Sequence, residues 1–337
     1  MILKKNVNNY LTIYLISHLI IWTLIPTVVN TNLPLDTIEA LAWGSDLKWG
    51  FEKHPPMSGL MVEIFFQLFG NNDWAFYLLS QIFLIFTFLI VWNFSNEIFK
   101  NETLSLISVL MLSGFFFYNY TTPEFNVNIC QLPFWALTVL YGWRSFNVKD
   151  KISNWIFFGL FASFGFLSKY LFIFLLIGIK IFYLYFLIKK KKINFYYFIP
   201  GLIFLAVISP HLIWLSQNEY VTILYGLSRS NIETGNFINH LINPLIFLIK
   251  QIIILAPIVL MTYVLLKEIK INIKSNNILI YLVCINILPF ILMLVYSLLT
   301  GAKIRTMWMT PFYIFFPTML LFIFKKFILF KNLKKFF

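Results

Sequence analysis

The chain of 337 residues is 60% hydrophobic and only 12% charged, with a mean hydropathy of +0.82. A soluble domain carries about 25% charged residues, so there is too little polar surface here to coat a soluble particle. Apolar runs over 11–29, 77–92 and 281–299 approach the roughly 20 residues that cross a hydrocarbon core, which describes a polytopic membrane protein. The two cysteines, Cys130 and Cys284, both lie in apolar runs, which excludes a disulfide framework and a cysteine-rich metal site.

In chain order, ten spans are predicted over 11–29, 74–94, 103–119, 127–146, 155–168, 170–188, 195–215, 244–266, 278–299 and 307–324. No small-residue cleavage site follows the first, so it reads as a retained span. The stretch 155–188 reads as two short spans turning near Lys169; a single span would put the run Lys189–Lys192 on the outside. With the N-terminus in the cytoplasm, 18 of the 26 Lys and Arg residues fall in cytoplasmic segments. Six fall outside (Lys48, Lys53, Lys169, Arg229, Lys303, Arg305), and Lys180 and Lys250 lie within spans. This satisfies the positive-inside rule with both termini cytoplasmic. The net charge of +13 is then topology and calls for no nucleic acid. The 23 Lys against 3 Arg, with 40 Phe, suit an AT-rich coding sequence and make aromatic abundance weak support for ligand stacking.

The acids run the other way. Nine of 13 face outward or sit near the outer boundary, six of them between residues 30 and 73, and long structured loops commonly carry function. The chain reads as one membrane domain, 1–337, with external loops at 30–73 and 217–243 as the places for chemistry. No internal repeat is visible.

In the first loop, Asp36 and Glu39 are three apart and share a face of a helical turn, beside an apolar strip of Leu35, Ile38, Ala42 and Trp43. Carboxylates beside an apolar interface suit general-base work, because desolvation raises their proton affinity; the same pair also fits a helix cap. Lys53 and His54 precede Pro55-Pro56, which fixes the backbone, and a rigidly held cation suits a phosphate. A solvated turn is the plainer alternative. Arg229 and Arg305, two of the three arginines, offer bidentate phosphate geometry on the outer side. Lys169 either reaches a phosphate or snorkels to the headgroups. Glu124 either orients an acceptor or caps the span starting near Val127. Glu63 reads as a boundary residue.

At these residues the sequence resembles glycosyltransferase family 39, the group around dolichyl-phosphate-mannose–protein mannosyltransferases and lipid A aminoarabinose transferases. The resemblance rests on the acidic first-loop helix followed by Gly50-Phe51-Glu52-Lys53-His54-Pro55-Pro56. It continues through Thr122-Pro123-Glu124, Gly165-Phe166-Leu167-Ser168-Lys169-Tyr170, Ser209-Pro210-His211-Leu212-Ile213-Trp214 and the stretch from Lys303 to Pro311 with Trp308. It implies an all-α integral membrane fold of the GT-C type, a bundle of about ten transmembrane helices with amphipathic helices in a structured first external loop. It further implies a polyprenyl-phosphate–sugar donor, a lipid, glycan or protein hydroxyl as acceptor, and a site on the periplasmic face of a bacterial inner membrane. Carried over, Asp36 acts as base, or orients the acceptor hydroxyl, in an inverting transfer with Glu39 in support. Lys53, with His54 and Lys169, binds the donor phosphate. Some related enzymes bind a divalent ion near this loop, for which Glu52 and His211 are the candidates. In contrast to the family, Thr37-Ile38 separates the two acids, and the chain lacks the C-terminal spans or soluble domain of longer members, so acceptor recognition is reduced or supplied by a partner. The rival readings are a transporter or lipid flippase, which would place ionisable residues mid-membrane, and a non-catalytic relative that binds the polyprenyl lipid through Lys53.

Overall fold

The computed structural model describes residues 6–148, 151–190, 195–230, 237–268 and 276–329. Glu233, the centre of the 217–243 loop and the lysines Lys4, Lys5, Lys149, Lys191, Lys192, Lys270, Lys274, Lys331, Lys334 and Lys335 lie outside the described residues. The order is α1 (Val7–Val29), α2 (Leu35–Gly44), α3 (Met57–Phe69), α4 (Asp73–Phe99), α5 (Glu102–Leu110), α6 (Val127–Asn147), α7 (Ile152–Ser168), α8 (Ile173–Lys190), α9 (Ile199–Gln217), α10 (Val221–Arg229), α11 (Asn239–Leu265), α12 (Asn277–Thr300) and α13 (Phe316–Phe324). Short 3₁₀ segments fill several joints. Apart from an isolated bridge between Leu266 and Ile328, no β-structure forms among the described residues.

Helix starts follow local chemistry. Asn101, Asn126 and Asn276 cap α5, α6 and α12, each side-chain oxygen accepting an amide of the first turn, which satisfies donors the helix cannot pair internally. Six helices are long and apolar enough to cross a membrane, and a seventh span forms if Thr306–Tyr313 and Phe316–Phe324, bent by 50°, are taken together. The predicted spans at 103–119 and 155–168 are shorter. The first leaves α-helix after Leu110 for 3₁₀ turns, and the second ends at Ser168. The predicted turn near Lys169 is present as a break between α7 and α8.

α6 is the centre of the bundle and is buried over most of its length. It packs on α4 and α7, α7 packs on α9, α4 on α1 and α5, and α8 on α12. Trp135 and Trp155 are fully buried. In contrast, α1, α9 and α11 carry rows of exposed Ile and Leu such as Ile13, Leu205 and Ile253, the surface a lipid-facing helix presents. Polar bonds link helices inside the bundle. Tyr281 donates to the Val139 carbonyl at 2.6 Å, and Ser95 bonds Thr318 across α4 and α13 at 2.9 Å. Arg144 on α6 pairs with Glu97 on α4.

Candidate active site

The acidic helix α2 starts behind Pro34, and Asp36 lies in its first turn without capping it. The cap alternative therefore fails for this residue. Thr37 and Ala40 face inward and Leu35 and Ile38 outward, so one apolar face is free to lie on a membrane surface. Thr37 Oγ1 donates to the Phe125 carbonyl at 3.1 Å, and the Asp36 amide donates to Glu124 Oε1 at 3.4 Å. Glu124 does not cap α6 either, since Asn126 does that. Its segment is held from α4, where Ser80 donates to the Thr122 carbonyl and Gln81 donates to Thr122 Oγ1 at 3.0 Å. Burial and then the neighbouring Glu39 raise the Asp36 carboxyl above the ordinary carboxylate range, against the pull of Lys169, Lys53 and Arg229. Burial and then Asp36 raise Glu124. Asp36 of the first loop and Glu124 of the segment before α6 are thus two desolvated carboxylates with raised proton affinity.

Opposite them lies the segment 49–56. The Phe51 amide closes a turn on the His54 carbonyl at 3.0 Å, and Pro56 stands at the start of α3. The turn is fastened at three points. His211 Nδ1 lies 2.6 Å from the Trp49 carbonyl, Thr222 Oγ1 donates to the Phe51 carbonyl at 2.6 Å, and Phe51 stacks on Trp43 at 5.5 Å. Gly44 and Gly50 are needed for close approach. A Cβ on Gly44 would stand 2.6 Å from the Gly59 carbonyl oxygen, and one on Gly50 would stand 2.4 Å from the Trp214 ring. Gly50→Ala is expected to push the turn off α9 and lower the unfolding midpoint; a variant with native midpoint would show that the turn is not tied to α9. Thr222→Val removes the hydroxyl and leaves the Phe51 carbonyl unpaired, for an expected cost of about 1–3 kcal/mol in unfolding free energy, read by denaturation in detergent.

Lys53 forms an ion pair with Glu39 and stands 6.0 Å from the centre of the Tyr225 ring. Arg229 approaches the same ring at 5.9 Å, so two cations stand by Tyr225, whose π-face favours their charge. His54 meets Trp43 and Tyr225 edge-on. Burial, followed by the charges of Lys169, Lys53 and Arg229, holds His54 down at about 3. It is neutral at physiological pH and offers a hydrogen bond rather than the positive charge expected of it. Lys169, only 7% exposed, donates to Asn128 Oδ1 and stands 5.6 Å from the Trp308 ring. Burial pulls its ammonium down to about 7, with Asp36 resisting.

The strap leading into α6 links the two sets of groups. Glu124 takes a bond from Asp36 and one from Asn126 Nδ2 at 3.4 Å, Asn126 accepts the Asn128 amide at 2.9 Å, and Asn128 holds Lys169. Asn126 borders both a small cleft containing Asp36, Glu39 and His54 and a cavity of about 550 Å³ lined by Glu124, Asn128, Arg229, Lys250, Lys303 and Arg305. Of the five expected donor-side residues, Arg229 and Arg305 border the larger cavity, whereas Lys53, His54 and Lys169 do not line it. Glu52 is exposed, and both His211 nitrogens are engaged, Nε2 by the Tyr170 hydroxyl at 2.7 Å. The two do not form a divalent-ion donor set, and no group of three His, Cys, Asp or Glu suited to a metal ion occurs among the described residues. Sequence reasoning passed over Asn126, Asn128 and Tyr225. The Asn-x-Asn after Glu124 and the four-residue spacing of Tyr225 to Arg229 were the available signals.

Residues 53–214 match the family model described as dolichyl-phosphate-mannose-protein mannosyltransferase. The match makes this segment, just under half of the chain, similar to that family. The undecaprenyl phosphate-alpha-4-amino-4-deoxy-L-arabinose arabinosyl transferase of Wigglesworthia glossinidia brevipalpis is 30% identical over 149 residues, covering 43% of this chain and 26% of that protein. No solved structure matches the chain. Within the matched segment lie Lys53, His54, Glu124, Lys169 and His211, whereas Asp36, Glu39, Arg229 and Arg305 lie outside it.

Proposed function

We propose that this protein is a multi-pass glycosyltransferase of a bacterial inner membrane, moving one sugar from a polyprenyl-phosphate donor to a lipid, glycan or protein hydroxyl at the periplasmic face. The observation that carries this reading is the meeting of desolvated carboxylates at Asp36 and Glu124 with a cationic cavity bordered by Arg229 and Arg305. That is the charge pattern an inverting transfer requires. The acceptor oxygen bonds to the anomeric carbon while Asp36 takes its proton. The bond from that carbon to the phosphate oxygen breaks, and its electron pair goes to the phosphate. The leaving phosphate gains negative charge, and fixed cations stabilise it without protonating it.

In this reading Asp36 is the base and Glu124 orients the acceptor beside it. Glu39 raises the proton affinity of Asp36 and steadies Lys53. Lys53, Lys169, Arg229 and Arg305 hold the donor phosphate, and neutral His54 supplies a hydrogen bond. The raised carboxyl of Asp36 means that transfer increases with pH until that group has lost its proton.

One observation favours a second reading. Lys250 stands within α11, a candidate span, and borders the cavity, and intramembrane charges also mark the pathways of transporters. Native membranes given a radiolabelled polyprenyl-phosphate–sugar separate the two. Label moving to an acceptor supports the transferase, whereas bound donor that crosses the bilayer without losing its sugar supports the flippase.

A further inference from the structure

The large cavity carries more positive charge than a donor of the proposed kind needs. A sugar–phosphate–polyprenol is a phosphodiester with one negative charge. The phosphate left after transfer is a monoester with about −1.5 to −2 near neutral pH. Arg229, Lys250, Lys303 and Arg305 border the cavity against a single carboxylate, Glu124. Among the described residues none of these four cations forms an ion pair.

Lys250 is the telling member. It lies about 17 Å along the axis from the start of α11, in a helix of 27 residues apolar enough to span a membrane. An ammonium at that depth is expensive unless it faces water or an anion, and here its residue borders the cavity. Lys303 and Arg305 are brought opposite it by a fastened loop. Gly301 closes α12 with φ of +69°, Asn243 Nδ2 donates to the Gly301 carbonyl at 2.7 Å, and the Lys303 amide donates to the Ser230 carbonyl at 3.0 Å. The last bond also ties the loop to the end of α10, which carries Arg229. The cations thus come from separate elements locked to one another, so their convergence is built into the backbone.

We propose that Lys250 and Lys303 make this cavity a phosphomonoester site that holds the leaving lipid phosphate more tightly than the diester donor. The inference rests on the transferase reading and adds two residues to it. When the carbon–oxygen bond breaks, the phosphate gains one negative charge and Asp36 loses one with the acceptor's proton. The added charge therefore appears on the side of the cations. The same arrangement slows release, so the monoester acts as a product inhibitor competing with the donor.

The test uses the full chain in detergent and measures direct binding of a short-chain polyprenyl phosphate, its methyl diester and inorganic phosphate. The monoester is expected to bind at least about tenfold tighter than the diester, the scale of one charge-assisted contact. That preference should disappear in K250Q/K303Q and persist in K250R/K303R. Both lysines are exposed residues, and retained diester binding in K250Q/K303Q shows that the fold survives. Equal affinities in the native chain, a preference that survives K250Q/K303Q, or equal loss of both lipids would each overturn the proposal. Inorganic phosphate binding as tightly as the lipid monoester would assign the cavity to a free phosphate ligand and overturn the leaving-group role. Because binding needs no turnover, monoester preference without sugar transfer would sink only the transferase reading. Transfer without the preference would sink only this one.

Discussion

Membranes carrying Asp36→Asn are expected to bind the donor and leave it intact, with kcat reduced about 10²–10⁴-fold, the usual contribution of a general base. The substitution is nearly isosteric and preserves the amide bond from Asp36 to Glu124 Oε1, so the position of α2 should not change. What is lost is the proton acceptor. Because the phosphate cations are untouched, donor KM should stay within about threefold of native while kcat falls, the pattern of an interaction made only in the transition state. A matching rise in KM, with kcat near native, would reduce Asp36 to a binding residue. Glu124→Gln is the informative companion. It keeps an oxygen for the Asp36 amide but removes the carboxylate charge that Asp36 faces there, and its effect should be the smaller of the two.

The second large effect concerns Lys169. Its ammonium is pulled down to about 7 by burial, and phosphate binding needs it protonated. As pH rises through about 7, the free enzyme loses that charge, and kcat/KM for the donor should fall up to tenfold per pH unit. On the acid side, the raised carboxyls of Asp36 and Glu124 must lose a proton for the base to act, so kcat/KM rises with pH there. The profile is therefore bell-shaped, with an acid limb that belongs to the carboxylate pair and an alkaline limb that belongs to Lys169. Lys169→Gln should lower kcat/KM about 10²–10³-fold at every pH, the scale of removing one stabiliser of developing charge. Lys169→Arg keeps a charge that does not titrate in this range, so within its own reduced rate the fall above pH 7 should vanish. An alkaline limb persisting in Lys169→Arg would show that another group titrates there.

The membrane class was legible from composition alone, and the acidic helix and the Lys53-His54-Pro55-Pro56 turn were legible from charge in an otherwise apolar chain. These features are local. Spacing of Asp36 and Glu39 on one turn and proline stiffening after His54 need no tertiary knowledge. The break at Lys169 was also readable, because 34 residues over 155–188 are too many for one span and allow a turn. What could not be read were consequences of burial. His54 looks like a cation in sequence, yet its surroundings of Trp43, Tyr225 and three positive side chains keep it neutral. His211 looks like a metal ligand, yet both nitrogens serve to fasten the Trp49 turn to α9 and to meet Tyr170. Lys250 is in sequence only a lysine within a span, because packing alone reveals that its part of α11 borders a cavity. Asn126 and Asn128 were invisible for a similar reason. Asparagine is common in this chain, Asn126 meets Asp36 only through Glu124, and the bond that makes Asn128 matter comes from Lys169, far along the sequence.

The central claim, that Asp36 and the cations around the cavity act together on one phosphate-linked sugar, is tested most directly by following label. Membranes bearing the native chain or Asp36→Asn are given a polyprenyl-phosphate donor labelled in the sugar, and both donor-bound label and label in other lipid, glycan and protein fractions are measured. The account predicts that the native chain moves label out of the donor fraction into an acceptor, while Asp36→Asn retains bound donor with its sugar in place. Native membranes that bind the donor and never transfer label would contradict it.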